Sequence, residues 1–216
     1  GDELVSAGLS PVKTALLFGP PGVGKSLAAR WLSNELKLPL ATLNLAATMN
    51  SYLGKTGQNI MRALDYAKSN PCILFLDEFD ALAKSRGDEH DVGELKRVVN
   101  VLLQAVDQWD GPSLLIAATN YVGILDAALV RRFEQTIEFP QSTRKQITQI
   151  LESLGVSLEL AIGLSQKLEG QPLSNATRLV NSARKRQVLE KISFSRALSV
   201  AAEDLVSLSS PIHRRR

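Results

Sequence analysis

The 216-residue sequence is short of the residues on which several protein classes depend. It has a single cysteine, Cys72, so no disulfide framework can form, and a lone thiol fits a reducing, cytoplasmic compartment. Two histidines, His90 and His213, together with that cysteine cannot assemble a His/Cys zinc site. No nucleophile–base arrangement for protease chemistry is visible. No apolar run approaches the ~20 residues needed to cross a bilayer. Gly1-Asp2-Glu3-Leu4 has no basic flank leading into an apolar stretch, so neither a signal peptide nor membrane insertion is expected. There is no internal repeat. The missing initiator methionine points to a processed chain or one excised from a longer protein.

What remains is an ordinary globular composition, 44% hydrophobic and 22% charged, which excludes disorder for most of the chain. The length allows one generous domain, or one domain and a small appendage. The net charge of +3 hides a division. Residues 1–140 carry 13 Lys/Arg against 16 Asp/Glu, and residues 141–216 carry 12 against 6. The change falls at Pro140, where an apolar stretch gives way to a polar one, and a boundary is placed there.

Before Pro140, short β-rich runs alternate with helical patterns, which predicts a parallel sheet with crossover helices. The strands are expected at Ala15–Phe18, Leu40–Leu45, Cys72–Leu76, Ser113–Ala118 and Gln135–Phe139. Helices are expected near Lys25–Leu36, Gln58–Lys68, Gly93–Asp107 and Asp126–Arg132. Leu16-Leu17-Phe18 and Ile73-Leu74-Phe75-Leu76 are continuous apolar runs, as in strands covered on both faces. After Pro140 the β signal stops, and helices are expected near Thr143–Leu154, Leu158–Leu168, Ser174–Leu189 and Ser193–Leu205, with Ser142 or Thr143 as the first N-cap. The expected division is an α/β subdomain over 1–140, a helical subdomain over 141–208 and a frayed basic tail over 209–216. Trp31 is expected in the core or at its edge, Trp109 packed in a turn-rich loop, and Cys72 buried as a small hydrophobe.

Between the first strand and the first helix lies Gly19-Pro20-Pro21-Gly22-Val23-Gly24-Lys25-Ser26, which matches G-x-x-x-x-G-K-[ST] in the context its mechanism needs. Glycines let successive backbone N–H groups line an anion-binding concavity, and the following helix adds its positive end. Lys25 can reach the β/γ-phosphates of a nucleotide, and the Ser26 hydroxyl can bind Mg²⁺. Leu27 completes the candidate nucleotide-binding segment. The bland alternative is a glycine-rich turn with a solvated lysine.

Cys72-Ile73-Leu74-Phe75-Leu76-Asp77-Glu78 is an apolar strand ending in two acids. A carboxylate at that strand end suits a water ligand of Mg²⁺, a role for Asp77. The next, Glu78, suits a base that activates the attacking water. Alone, adjacent acids often mark only a solvated turn.

Together these segments, from about Leu9 to Leu205, resemble the AAA subfamily of AAA+ ATPases: a P-loop NTPase parallel sheet of about five strands, followed by a small helical lid. The resemblance implies a Mg²⁺-dependent ATPase, with Asn120 in Ala118-Thr119-Asn120 as sensor 1 helping to position the hydrolytic water. It makes Arg131 and Arg132, in Leu125–Phe133, arginine fingers that reach the nucleotide of a neighbouring subunit, and so implies a homo-oligomeric ring, usually a hexamer. A guanidinium offers phosphate oxygens a planar fork of donors. Without the resemblance these arginines read as solvated cations at a helix end. Tyr52-Leu53-Gly54 resembles the family's pore loop, which grips an extended polypeptide; packing of Tyr52 on the next helix is the alternative. The charged stretch Ser85–Asp91 sits where the family places a second channel-facing loop, and otherwise reads as a solvated loop.

The chain departs from the family pattern in three places. The finger arginines are adjacent, as in the branch of microtubule-severing and membrane-remodelling ATPases. Ser174-Asn175-Ala176-Thr177-Arg178 lacks the Gly-Ala-Arg run of sensor 2, so Arg178 is either that sensor or an ordinary helix-surface arginine. The segment ahead of Leu16 is short for the family, consistent with an excised module that assembles less readily. The leading functional expectation is an ATP-driven remodeller or unfoldase of protein substrates. The alternatives are a nucleic-acid-associated AAA+ ATPase, motivated by Arg178, Arg184-Lys185-Arg186, Lys191 and Arg196, or a nucleotide-gated adaptor.

Overall fold

The computed structural model describes residues 6–8, 10–50, 53–84 and 92–209; of 49, 50, 53–56, 83, 84, 92–98 and 206–209 it describes the backbone alone. Contacts divide the chain into two units, one of residues 1–20 and 25–139, the other of 21–24 and 140–216.

The first unit contains a five-stranded, all-parallel sheet. Its elements are β1 (Thr14–Phe18), α1 (Lys25–Leu36), β2 (Leu40–Asn44), α2 (Leu45–Asn50), α3 (Leu53–Ser69), β3 (Ile73–Asp77), α4 (Ala81–Lys84), α5 (Val92–Asp107), β4 (Leu114–Thr119), α6 (Ala127–Val130) and β5 (Gln135–Glu138). The strand order is β2-β3-β4-β1-β5. Because β1 lies between β4 and β5, the chain crosses over two strands to reach β2, and the carboxyl ends of β1, β3 and β4 are neighbours. Crevices outside such strand ends are where open α/β sheets bind ligands.

The apolar run of β3 shows why the sheet is covered on both faces. Leu74 and Leu76 join the core built with Ile60 and Leu64 of α3 and Leu102 of α5. Ile73 and Phe75, pointing the other way, pack with Ala29 of α1. All four are at most 1% exposed, so truncating any of them to alanine costs about 2–5 kcal/mol. In α1, Ala29 and Ser33 are buried at i and i+4, and Trp31 between them is turned away. Trp31 is 60% exposed, so the expectation of a core or boundary tryptophan is corrected by the helix phase. Trp109 does pack: it is buried and donates its indole N–H to the Ser113 carbonyl at 2.9 Å. Cys72 is fully buried.

Several boundaries also shift. Leu45, expected to close β2, instead opens α2, because the Asn44 side chain accepts the Ala47 N–H at 2.7 Å and so starts a helix that the sequence reading missed. The helix expected from Gln58 begins at Leu53 and runs through Gly54 and Gly57.

In the second unit, α7 (Arg144–Ser153), α8 (Leu158–Leu168), α9 (Ser174–Glu190) and α10 (Phe194–Ser209) share one apolar core, including Ile147, Leu151, Leu164, Leu179 and Leu198. Thr143 is the N-cap of α7 and forms a full capping box with Gln146. Three basic side chains add polar ties to this apolar core. Arg184 of α9 donates to the Leu154 carbonyl after α7 at 2.6 Å, Arg144 pairs with Glu169 at 2.5 Å, and Arg186 pairs with Asp204 at 2.6 Å. Ser209 ends α10, and the remaining tail residues lie outside the described ones.

Candidate nucleotide site

β1 delivers the chain to Gly19, which has φ 146°. A Cβ there would lie 2.0 Å from the Phe139 carbonyl oxygen, so only glycine lets β1 and the end of β5 approach this closely. Gly24, φ 110°, makes the turn from which α1 starts, and Lys25 and Ser26 are the first residues of that helix. Pro21–Gly24 belongs by its contacts to the second unit. Leu27 is 67% exposed on α1.

Lys25 is buried, and its ammonium is the hub of the first unit's polar residues. Its Nζ donates to the carbonyls of Gly19 at 2.6 Å and Pro20 at 2.9 Å, and to Oδ1 of Asn120 at 2.9 Å. Burial pushes the Lys25 pKa down, while the charges of Asp77 and Asp80 push it up. Ser26 donates its hydroxyl to Asp77 Oδ2 at 3.3 Å. The opposite carboxylate oxygen of Asp77 accepts the N–H of Glu78 at 2.9 Å.

Glu78 has φ 56°, a left-handed conformation that costs a non-glycine residue about 1–3 kcal/mol. The strain is held by its neighbours. Phe79 donates its N–H to the Ala118 carbonyl of β4 at 2.8 Å, and its ring, fully buried, meets Phe133 edge-on at 5.6 Å. The backbone reversal at Glu78 therefore occurs between two fixed points, the Asp77 carboxylate and the Phe79 side chain.

The sequence reading passed over Asp80. It is 4% exposed, and its Oδ1 accepts the Thr119 hydroxyl at 3.2 Å and the Asn120 N–H at 3.4 Å. The signal was the spacing Asp77-Glu78-Phe79-Asp80, an extra acid set among Phe79, Ala81 and Leu82 rather than in a polar loop.

The segment bearing the paired arginines is pinned by its apolar residues. Leu125, Leu129 and Phe133 are buried in the core, and Asp126 caps α6 by accepting the Ala128 N–H at 3.0 Å. Arg131 and Arg132 are left exposed. Arg132 forms an ion pair with Asp107 at the end of α5. Among the described residues no carboxylate pairs with Arg131. Arg178 is exposed on α9 of the second unit. Tyr52 and Ser85–Asp91 lie outside the described residues, and Leu53 and Gly54 are described only as the backbone that opens α3.

The structure thus brings together Gly19, Pro20, Lys25, Ser26, Asp77, Glu78 and Asn120 around the carboxyl ends of β1, β3 and β4. This set offers an ammonium for phosphate, a hydroxyl and a carboxylate for a hard cation, and a further carboxylate for a proton. Among the described residues no group of three or more His, Cys, Asp or Glu could cage a metal ion. Two adjacent oxygen donors suit Mg²⁺ instead, which keeps water and substrate oxygens in its shell.

A five-stranded parallel sheet flanked by helices, with a phosphate-loop sequence after β1 and a helical C-terminal part, is the architecture of an AAA+ P-loop module. Comparison with known proteins agrees: the family described as ATPase family associated with various cellular activities (AAA) matches residues 15–141. The chain is 38% identical over 193 residues to an uncharacterized AAA family ATPase of Sinorhizobium fredii, covering 88% of this chain and 58% of that protein. It is 36% identical over 143 residues to the peroxisomal ATPase pex6 of Schizosaccharomyces pombe, covering 62% of this chain and 15% of that protein. It is also 37% identical over 140 residues to the proteasome-activating nucleotidase of Methanoculleus marisnigri, covering 62% of this chain and 34% of that protein. The chain spans less than two thirds of the length of each of these relatives. It belongs to the AAA family of ATPases. No helix among the described residues is long and apolar enough to cross a membrane.

Proposed function

We propose that the chain binds ATP with Mg²⁺, hydrolyses it to ADP and phosphate, and uses the cycle in a homo-oligomeric ring, hexameric when whole, to pull polypeptide through a central pore. The observation that carries this reading is the hydrogen-bonded cluster of Lys25, Asn120, Ser26 and Asp77 beside the strained Glu78. A proteasome-activating nucleotidase among the relatives supports protein substrates. The single buried cysteine fits a cytoplasmic setting.

In this reading the backbone of Gly19–Gly24 and the Lys25 ammonium bind the phosphates, Lys25 leaving its carbonyl partners to do so. Ser26, and Asp77 through a water, would hold Mg²⁺, which when bound neutralises phosphate charge. Glu78 takes the proton of the attacking water, and Asn120 orients that water. Arg131 and Arg132 serve the nucleotide of a neighbouring subunit, with Arg131 the stronger contributor because Asp107 already engages Arg132. Tyr52, Leu53 and Gly54 grip the polypeptide, and Arg178 is either sensor 2 or an ordinary helix-surface arginine.

Two of the six cations that motivate the nucleic-acid alternative, Arg184 and Arg186, are tied within the helical unit, which weighs against it. ATP turnover measured with an unfolded protein, with single-stranded DNA and with neither, at several chain concentrations, tests the reading. Stimulation by unfolded protein and a rate per chain that rises with concentration are expected. Stimulation by DNA alone would overturn it, and turnover that survives Glu78→Gln would remove Glu78 from the base role.

A further inference from the structure

Asp80 lies three residues beyond Asp77, on the same loop as Glu78, yet it faces away from solvent and toward the end of β4. Its Oδ1 accepts two protons, from the Thr119 hydroxyl at 3.2 Å and the Asn120 backbone N–H at 3.4 Å. The Thr119 hydroxyl, having given its one proton to Asp80, accepts the Tyr121 N–H at 3.1 Å. Donors therefore run in one direction, from Tyr121 through Thr119 to Asp80, and the carboxylate closes the chain. The backbone bond from Phe79 N–H to the Ala118 carbonyl, 2.8 Å, runs parallel to it. The loop that carries Glu78 and the strand end that carries Asn120 are thus sewn together by three hydrogen bonds, two of them to one buried carboxylate.

We infer that Asp80 is a positioning residue for ATP hydrolysis: through Thr119 and the Asn120 N–H it fixes the Asn120 side chain against Glu78. The inference rests on the proposed hydrolytic roles of those two residues. The chemistry favours an acid at this place over an amide. Hydrogen bonds to a charged acceptor are about twice as strong as neutral ones. A carboxylate can accept both protons without first turning the right way round, whereas an amide presents one oxygen and one donor face. Burial strengthens both bonds further by excluding competing water. Lys25, whose Nζ holds the Asn120 side chain from the other side at 2.9 Å, completes the clamp: Asn120 is fixed by backbone from Asp80 and by side chain from Lys25.

Five single variants and one double variant test this. Asp80→Ala should lower kcat by about 10²-fold, the loss expected from misplacing reacting groups by about an ångström, with little change in KM for ATP. Asp80→Asn, which keeps an acceptor, should lose less than tenfold. Thr119→Val should fall between them, and Thr119→Ser should restore the rate. Asp80→Ala and Thr119→Val should also speed hydrogen exchange of the Asn120 and Tyr121 amides, a readout independent of turnover. In an Asn120→Ala background Asp80→Asn should cost no further kcat, because the group it positions is gone. Losses that multiply in the double variant, a change in KM alone, or wild-type kcat in folded Asp80→Ala or Thr119→Val would overturn the inference. If Asp80→Ala does not fold, Thr119→Val and Asp80→Asn decide it. A wild-type chain that turns over no ATP while both amides stay protected would instead count against the proposed function and leave the tether standing.

Discussion

The two units of this chain use charge in opposite ways. In the α/β unit, polar groups at the carboxyl ends of β1, β3 and β4 and at the start of α1 converge, with Lys25 shared among two carbonyls and an amide and Ser26 leaning on Asp77. In the helical unit, which carries the larger net charge, three of the cations are engaged at separate places: Arg184 on a helix-terminal carbonyl, Arg144 on Glu169, Arg186 on Asp204. Convergence marks reactive chemistry, because several groups can then act on one ligand atom. Dispersed pairs only hold helices in place. The surplus of cations after Pro140 is thus a weaker guide to function than the nearly balanced unit before it.

If that contrast holds, substitutions of the first unit's exposed or converging polar residues should change turnover with little effect on stability, and those in the core and ion pairs of the second should do the reverse. The largest effect is expected at Arg131. Arg131→Ala should reduce turnover by about 10³–10⁵-fold without shifting the unfolding temperature, and mixing it with Glu78→Gln chains should return part of the activity. No recovery at any mixing ratio would break the idea of a contribution in trans. Leu151→Ala should come next. Leu151 is fully buried in the helical core, and its truncation should cost about 2–5 kcal/mol in a denaturant or thermal melt. Turnover of the chains that remain folded should stay within a few-fold, and a loss as large as that of Arg131→Ala would blur the contrast.

A third, smaller effect comes from pH. Burial lowers the Lys25 pKa from its ordinary 10.5, with Asp77 and Asp80 opposing. ATP affinity, followed by titration of a fluorescent analogue from neutral pH upward, should begin to fall below 10.5, by at most about tenfold per pH unit. Stability contributed by this group should move the other way. Between the lowered pKa and 10.5 the unfolded chain holds the extra proton, so raising the pH across that window favours the folded state. An affinity that is flat through 10.5 would place Lys25 outside the phosphate site. The smallest effect belongs to Arg186→Ala, which removes a partly exposed pair and should alter stability by no more than about 1 kcal/mol.

Much of this was legible from residue order. The apolar runs of β1 and β3, the spacing of Gly19 to Ser26 and the acids after Leu76 announced a parallel sheet with a phosphate loop, since each is a local pattern with a local cause. What escaped depended on distance in the chain or on a single side chain. Asp80 acquires its meaning only when β4, forty residues later, is laid beside β3. Helix α2 depends on whether Asn44 bonds to its own backbone, which composition does not reveal. Trp31 was misjudged because its size suggested the interior, while the phase set by Ala29 and Ser33 turned it outward.

Under the proposed roles, the contact between Phe79 and Phe133 would make this chain a tool with two working ends on one bolt. Phe79 follows Glu78, the proposed base for a subunit's own ATP. Phe133 follows Arg132, proposed to serve the nucleotide of a neighbouring subunit. Shrinking either ring would therefore loosen both ends together, so a single worn subunit in a ring would impair two adjacent sites and stall more of the cycle than its share.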